Sequence, residues 1–210
     1  MKKEDKKHKK QAEQPLKAGE PSLSYDGHYT YGEYINWNFD HMVELIRGKI
    51  FKMSPAPSSM HQIVAGNLFL EIGNYLKGRS CRVFIAPFDV ILPIPSERKR
   101  NESNTVVQPD LCVICDPALI EETGCFGVPD WVIEILSPHT SKKDMQLKYE
   151  AYEEVGVKEY WIVMPKEKLI EIFLLEEAKY QRKSVCVPED NVSPFTLPEL
   201  SIDLSMVFDY

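Results

Sequence analysis

Two short apolar runs, Val106–Cys115 and Trp131–Leu136, constrain this chain most, because each carries a carboxylate where a buried strand normally carries none. Both are bounded by Pro or Gly and have the length of buried strands. Trp131-Val132-Ile133-Glu134-Ile135-Leu136 is apolar except for Glu134, and Pro109-Asp110 interrupts the other run. A carboxylate inside a buried strand is costly unless it is paired or bound to a cation. Two of them on neighbouring strands repel, which raises one pKa. A Mg²⁺ or Mn²⁺ ion removes both problems, since hard cations prefer carboxylate oxygens. Taken singly, either acid could instead pair with an Arg or Lys, or sit where its strand ends and reaches water.

The segment after Glu134 sharpens this choice. Ser141–Val155 reads as a helix that stops at Gly156. On a wheel at about 100° per residue, Met145, Tyr149, Tyr152 and Val155 form one apolar arc, and Lys148 projects into it. A lysine stem can cross an apolar face to reach water. Alternatively its ammonium lies beside a metal–carboxylate centre, where it would hold the attacking water or offset charge on a phosphate. Asp144 could orient Lys148 from one turn before it, or cap the helix N-terminus together with Ser141.

The remaining elements follow from periodicity and punctuation. Tyr29–Phe39 reads as a short helix, and Val43–Ile46 with Ile50–Met53 as a hairpin about Arg47-Gly48-Lys49. Ser59 with Gln62 fits a capping box, followed by a helix to Lys77 with the stripe Val64, Ala65, Leu68, Ile72, Tyr75 and Leu76. Cys81–Leu92 reads as one strand and Pro93–Asn104 as a polar loop. Lys158–Met164, Leu169–Leu175 and Tyr180–Val187 complete the strands, and the C-terminal segment packs back on the body. The order implies an α/β fold, one mixed β-sheet flanked by helices.

Composition bounds the function. At 210 residues, 43% apolar and 27% charged, the chain suits one globular domain, residues 25–210, after a Lys-rich disordered tail, residues 1–24. The first twenty residues hold seven lysines against four acids, a balance of +3, which leaves −10 for the rest of a chain whose total is −7. An acidic body disfavours a broad nucleic-acid surface but not a small basic cleft. No stretch of about 18 apolar residues exists and the N-terminus lacks the apolar core of a secretory signal, so no membrane span and a cytoplasmic location are expected. Five cysteines in a chain of this size do not suggest a disulfide framework, and Cys112 and Cys115 read as core strand residues. No G-x-S-x-G or Gly-rich phosphate loop occurs, which argues against serine-hydrolase and nucleoside-triphosphate chemistry. His61 opens the first long helix on its apolar side, His139 follows Ser137-Pro138 in an exposed turn, and His8, His28 and His41 show no metal-ligand spacing.

An ordered series of short motifs now connects these residues: Val107-Gln108-Pro109-Asp110, Gly127-Val128-Pro129-Asp130, Glu134-Ile135-Leu136-Ser137-Pro138, Asp144 with Lys148, and Gly156-Val157-Lys158-Glu159-Tyr160-Trp161. Glu44-Leu45-Ile46-Arg47-Gly48-Lys49-Ile50 and Met53-Ser54-Pro55 with His61 precede them. The series, spanning Thr30 to the C-terminus, resembles the Uma-two family of candidate restriction endonucleases in the PD-(D/E)XK nuclease superfamily. The resemblance implies a restriction-endonuclease-like fold and a metal-dependent endonuclease acting on DNA. Asp110 and Glu134 would ligate Mg²⁺ or Mn²⁺, with the Ile135 carbonyl able to join them. The superfamily lysine normally sits two residues after the acid, where this chain has Leu136, so the resemblance moves that role to Lys148. Glu44 and His61 match further polar positions at the cleft edge. Met164 stands where the family commonly has Asp. The alternative is a nuclease-fold binding or scaffold module, which could form a homodimer, with little or no cleavage.

Overall fold

The polypeptide passes five times between two sheets, and two of those passages break an apolar run at a proline. The computed structural model describes residues 27–53, 57–93, 99–137 and 142–210, and for 142–144 the backbone alone. The Lys-rich tail, His139 and the side chain of Asp144 therefore lie outside the described residues. A short helix α1 (Tyr31–Tyr34) leads into strands β1 (Val43–Ile46) and β2 (Lys49–Lys52). Their turn is Arg47-Gly48, with φ of 50° and 76°, the left-handed pair that a tight hairpin requires. Helix α2 (Ser59–Leu76) follows, capped by Ser58, whose hydroxyl accepts from the His61 N–H at 3.2 Å. The cap is thus one residue earlier than expected, and Gln62 does not sit at the third helical position that closes a capping box.

The expected strand Cys81–Leu92 is two strands in different sheets, β3 (Arg82–Ile85) and β4 (Val90–Ile91). Val106–Cys115 divides in the same way into β5 (Val106–Val107) and β6 (Leu111–Ile114). Pro87 and Pro109 stand at the two breaks. Neither has an N–H to continue a ladder, so the chain leaves one sheet and enters the other there. Next come the hairpin β7 (Ile120–Glu121) and β8 (Gly124–Phe126), which sequence reading passed over, and strand β9 (Trp131–Ile135). Helix α3 (Lys142–Val155) ends at Gly156, whose φ of 92° terminates the helix, and carries the chain to β10 (Glu159–Met164). Strands β11 (Leu169–Glu176) and β12 (Lys179–Cys186) follow as expected. A small pair, β13 (Asn191–Val192) and β14 (Ile202–Asp203), and the one-turn helix α4 (Leu204–Val207) complete the described elements.

Instead of one mixed sheet, the described residues form two of six strands. The first has the order β2-β1-β5-β4-β8-β7, the second β12-β11-β10-β9-β6-β3. The second is mixed: β9 runs parallel to β10 and antiparallel to β6. A parallel pair needs a crossover, and α3 supplies it. Alternation along β9 assigns its two faces. Trp131, Ile133 and Ile135 pack against Val64, Leu68 and Ile72 of α2 and against Leu200, Leu204 and Phe208 of the C-terminal segment, which folds back as expected. Val132 on the other face packs with Tyr152 of α3 and with Ile46, Val90 and Val107 of the first sheet. A Leu68→Ala cavity in the fully buried α2 layer would cost about 2–5 kcal/mol.

Cysteine usage departs from expectation. Cys81 and Cys115 form a disulfide. They stand one step beyond the Arg82–Ile114 pair of β3 and β6, so the strand register brings them face to face. Cys112 is a buried strand residue as expected. No helix among the described residues is long and apolar enough to cross a membrane.

Candidate active site

Asp110 stands where the chain passes from β5 in the first sheet to β6 in the second. Leu111 of β6 pairs with Ile133 of β9, so the register carries Asp110 opposite Glu134 and onto the same face. Its Oδ2 accepts the Ile135 N–H at 2.6 Å, closing the break that Pro109 opens. Its Oδ1 lies 3.2 Å from Nε2 of His61, which reaches it from the first turn of α2. The position of Ser58 as N-cap sets that first turn and hence the direction of the imidazole. Burial alone would lower the His61 pKa, but Asp110, the Ile135 carbonyl and Glu134 together raise it above the usual value.

Glu134 faces α3. Lys148 donates to both of its oxygens, at 3.0 and 3.2 Å, and Tyr152 donates to Oε1 at 2.7 Å. Lys148 also pairs with Oε1 of Glu44 at 2.8 Å. Glu44 comes from β1 in the first sheet, and its Oε1 further accepts the backbone N–H of Gln108 at 2.8 Å. One ammonium therefore serves two carboxylates, with Asp110 close enough to act on both ends of the Lys148–Glu134 pair. Burial is the largest influence on Glu134 and raises its pKa; Lys148 opposes that, while Asp110 and Glu44 add to it, and the result is about 7. Burial would lower Lys148, but Glu134 and Glu44 hold it charged and push its pKa up. Three carboxylates around one lysine leave excess negative charge, and Glu134 is the one whose pKa is pushed up.

The five residues singled out from sequence, Glu44, His61, Asp110, Glu134 and Lys148, line one cleft of about 380 Å³ between the two sheets and α3. The wheel placement of Lys148 agrees with the structure, and its ammonium reaches Glu134 directly. Sequence reading assigned no site role to Tyr152, Gln108 or Tyr160. Tyr152 follows Lys148 by four residues, so the two lie on one helix face, and its hydroxyl in an apolar arc was the available signal. The Gln108 amide donates to Asp89 at 2.7 Å, and Asp89 also accepts from Tyr34 at 3.3 Å, which extends the polar network away from the cleft. Among the described residues, no three or more His, Cys, Asp or Glu side chains group as a metal cluster would.

Comparison with known proteins identifies the family and the fold. A family described as "Putative restriction endonuclease", Uma2, matches residues 31–205. The chain belongs to the Uma2 family. A solved structure, described as "a putative nuclease belonging to DUF820 from Anabaena variabilis", is similar at 22% identity with a TM-score of 0.67, covering 85% of this chain and 97% of that one. At that identity the likeness establishes the shared nuclease-like fold. No curated protein matches. All of the Uma2-like motifs read from the sequence except Gly127-Val128-Pro129-Asp130, which links β8 to β9, supply at least one residue to the cleft or to the strands that frame it.

Proposed function

We propose that the chain is an endonuclease that hydrolyses phosphodiester bonds in DNA with Mg²⁺ or Mn²⁺, acting in the cytoplasm. The observation that carries this reading is the convergence of Asp110, Glu134 and Lys148 in one cleft, on the face of the sheet that α3 covers. Asp110 and Glu134 would hold the cation, with the Ile135 main-chain carbonyl as a neutral oxygen donor. Hard oxygen donors suit these metals, and Mg²⁺ is typically held by one or two carboxylates plus substrate phosphates rather than by an all-protein cage. The two-carboxylate set fits that pattern. When bound, the cation supplies charge that acidifies a water and polarises a phosphoryl oxygen.

The side chains of the chain do the positioning. Tyr152 fixes the Glu134 carboxylate, and the Ile135 N–H fixes Asp110, so both acids are oriented before any ligand arrives. Lys148 presents an ammonium at the carboxylates, where it offsets charge that builds on a phosphate. Glu44 restrains that ammonium from the opposite sheet. The His61 imidazole, held toward its protonated form by Asp110, can donate to a phosphate oxygen or a leaving group.

A binding module without turnover is the second reading. It is favoured because Lys148 and His61 already pair with Glu134 and Asp110 within the chain. Incubation of supercoiled plasmid with the protein and Mn²⁺, Mg²⁺ or EDTA separates the two. The nuclease reading expects metal-dependent nicking that falls at least ~10²-fold in Asp110→Asn. Absence of cleavage with either metal from pH 6 to 9, alongside a Mn²⁺-induced rise in melting temperature, would establish the binding module instead.

A further inference from the structure

Three buried polar atoms in the described cleft lack a partner within the chain. They are Nδ1 of His61, Oε1 of Gln108 and the hydroxyl of Tyr160. An unmade hydrogen bond of this kind costs about 1–3 kcal/mol per group, so three in one cavity point to a ligand that completes them. The rest of the lining is largely apolar, with Ile46, Phe51, Leu136 and Met145 among the walls. The volume of about 380 Å³ is that of a small-molecule pocket, far below what a duplex groove would occupy. The charges agree. Besides His61, Lys52 and Lys148 are the only cationic side chains among the described residues of the cleft, and Lys148 is committed to Glu44 and Glu134. A duplex held by its backbone would need several lysines or arginines along each strand.

We propose that this cleft takes one unpaired nucleotide, with its base in the apolar pocket and its phosphate at the carboxylates, so that the substrate is single-stranded DNA or an unpaired nucleotide at a junction or end. The inference rests on the endonuclease reading of the same site. A base offers flat apolar faces and an edge of donors and acceptors. Gln108 already spends its amide N–H on Asp89, so its free Oε1 can only accept and would take a base amino or ring N–H. Tyr160 can donate or accept. His61 presents Nδ1 while Nε2 faces Asp110. Bringing a base out of a stack costs a few kcal/mol, least where it is already unpaired, which favours single strands in such a pocket.

Fluorescence anisotropy of the full chain in Ca²⁺, which supports binding in place of turnover, tests this with a labelled single-stranded 12-mer, the same sequence as a blunt duplex, and that duplex with a 3-nucleotide flap. The expected result is a dissociation constant at least ~10-fold lower for the single strand and the flap than for the blunt duplex. Gln108→Leu should raise the single-strand value ~10-fold. Tyr160→Phe guards against misfolding, since it removes one unpartnered oxygen and little else. It should leave the melting temperature of the free protein unchanged or higher while weakening single-strand binding several-fold. Equal affinity for duplex and single strand, or unchanged binding in Tyr160→Phe and Gln108→Leu, overturns the proposal. The Mn²⁺ cleavage assay on the same substrates keeps the two readings apart: duplex cleavage without single-strand preference sinks the pocket and spares the nuclease, whereas single-strand preference without cleavage does the reverse.

Discussion

Glu134 and Glu159 stand on adjacent parallel strands and are both buried, yet they are held in opposite ways. Glu159 accepts from Trp161 Nε1 at 2.8 Å and from the backbone N–H groups of Phe195 and Thr196 at 3.0 and 2.7 Å. All of its partners are N–H groups of the fold, and it is sealed from water. Its effect is to pin the C-terminal segment to the start of β10. Glu134 has a cation and a hydroxyl as partners, a second and a third carboxylate near by, and a cleft in front of it. A carboxylate surrounded by N–H donors is a structural anchor. One balanced among other charges beside open space can exchange its partners for a ligand.

Substitution at the two centres should separate these roles, and the largest effect belongs to Lys148. Lys148→Met keeps most of the stem and removes the ammonium, so metal-dependent nicking should fall at least ~10²-fold. Glu44 and Glu134 would then face each other without a counter-charge, a loss of about 3–5 kcal/mol at neutral pH that Mn²⁺ should largely restore. Nicking at the wild-type rate would mean that Lys148 serves only to balance charge. At the other centre, Glu159→Ala leaves an indole and two backbone N–H groups unpaired, at about 1–3 kcal/mol each. Its midpoint in urea should drop well below that of the wild type, with Mn²⁺ raising it by no more than it raises the wild type and nicking per folded molecule retained. A Mn²⁺ gain in Glu159→Ala larger than that of the wild type would erase the distinction between the two glutamates.

The pH dependence is the next effect in size. Burial pushes the Glu134 carboxyl up from the ordinary 4.5 of the unfolded chain to about 7. Between those values the native state binds more protons, so this contribution to stability is fully present below about pH 4.5 and is lost as pH rises through 7, by ~3 kcal/mol at most. Glu134→Gln should remove that slope. Melting curves of both proteins in EDTA from pH 4.5 to 8 would show it as a widening gap in favour of the variant; parallel curves would show that Glu134 is already ionised at low pH. Tyr152→Phe gives the smallest change. Its hydroxyl favours the ionised form of Glu134, so its loss should move the Glu134 midpoint further up and slow nicking several-fold at pH 7 while having less effect at pH 8.5. An equal loss at both pH values would assign Tyr152 to packing.

Asp110, Glu134 and Lys148 were legible because a charge inside an apolar pattern is conspicuous whatever the fold. Glu44 and His61 were not legible in that way, since a polar residue in a hairpin strand or at a helix start is ordinary; the family resemblance brought them in. Glu159 escaped notice because it opens a strand, where a charge reads as exposed. The division of Cys81–Leu92 and Val106–Cys115 between sheets could not be read from alternation, which specifies the two faces of a strand but not the sheet that it joins. Pro87 and Pro109 carried that information. The Cys81–Cys115 bond depends on the register of β3 against β6, a relation across 34 residues that spacing alone does not reveal.

The ammonium of Lys148 has a mechanical consequence. Glu44 belongs to one sheet and Glu134 to the other, so the single group that bonds both works as a clasp across the seam. Arg47 adds an outer fastening, from the β1–β2 turn to Glu150 and Glu154 on α3, but it is exposed and correspondingly weak. Whatever draws Lys148 away from one carboxylate slackens the joint between the sheets at the place where the chain passes from one to the other beside Asp110. Occupation of the cleft and the fit of the two halves of the molecule are thereby joined through one nitrogen atom.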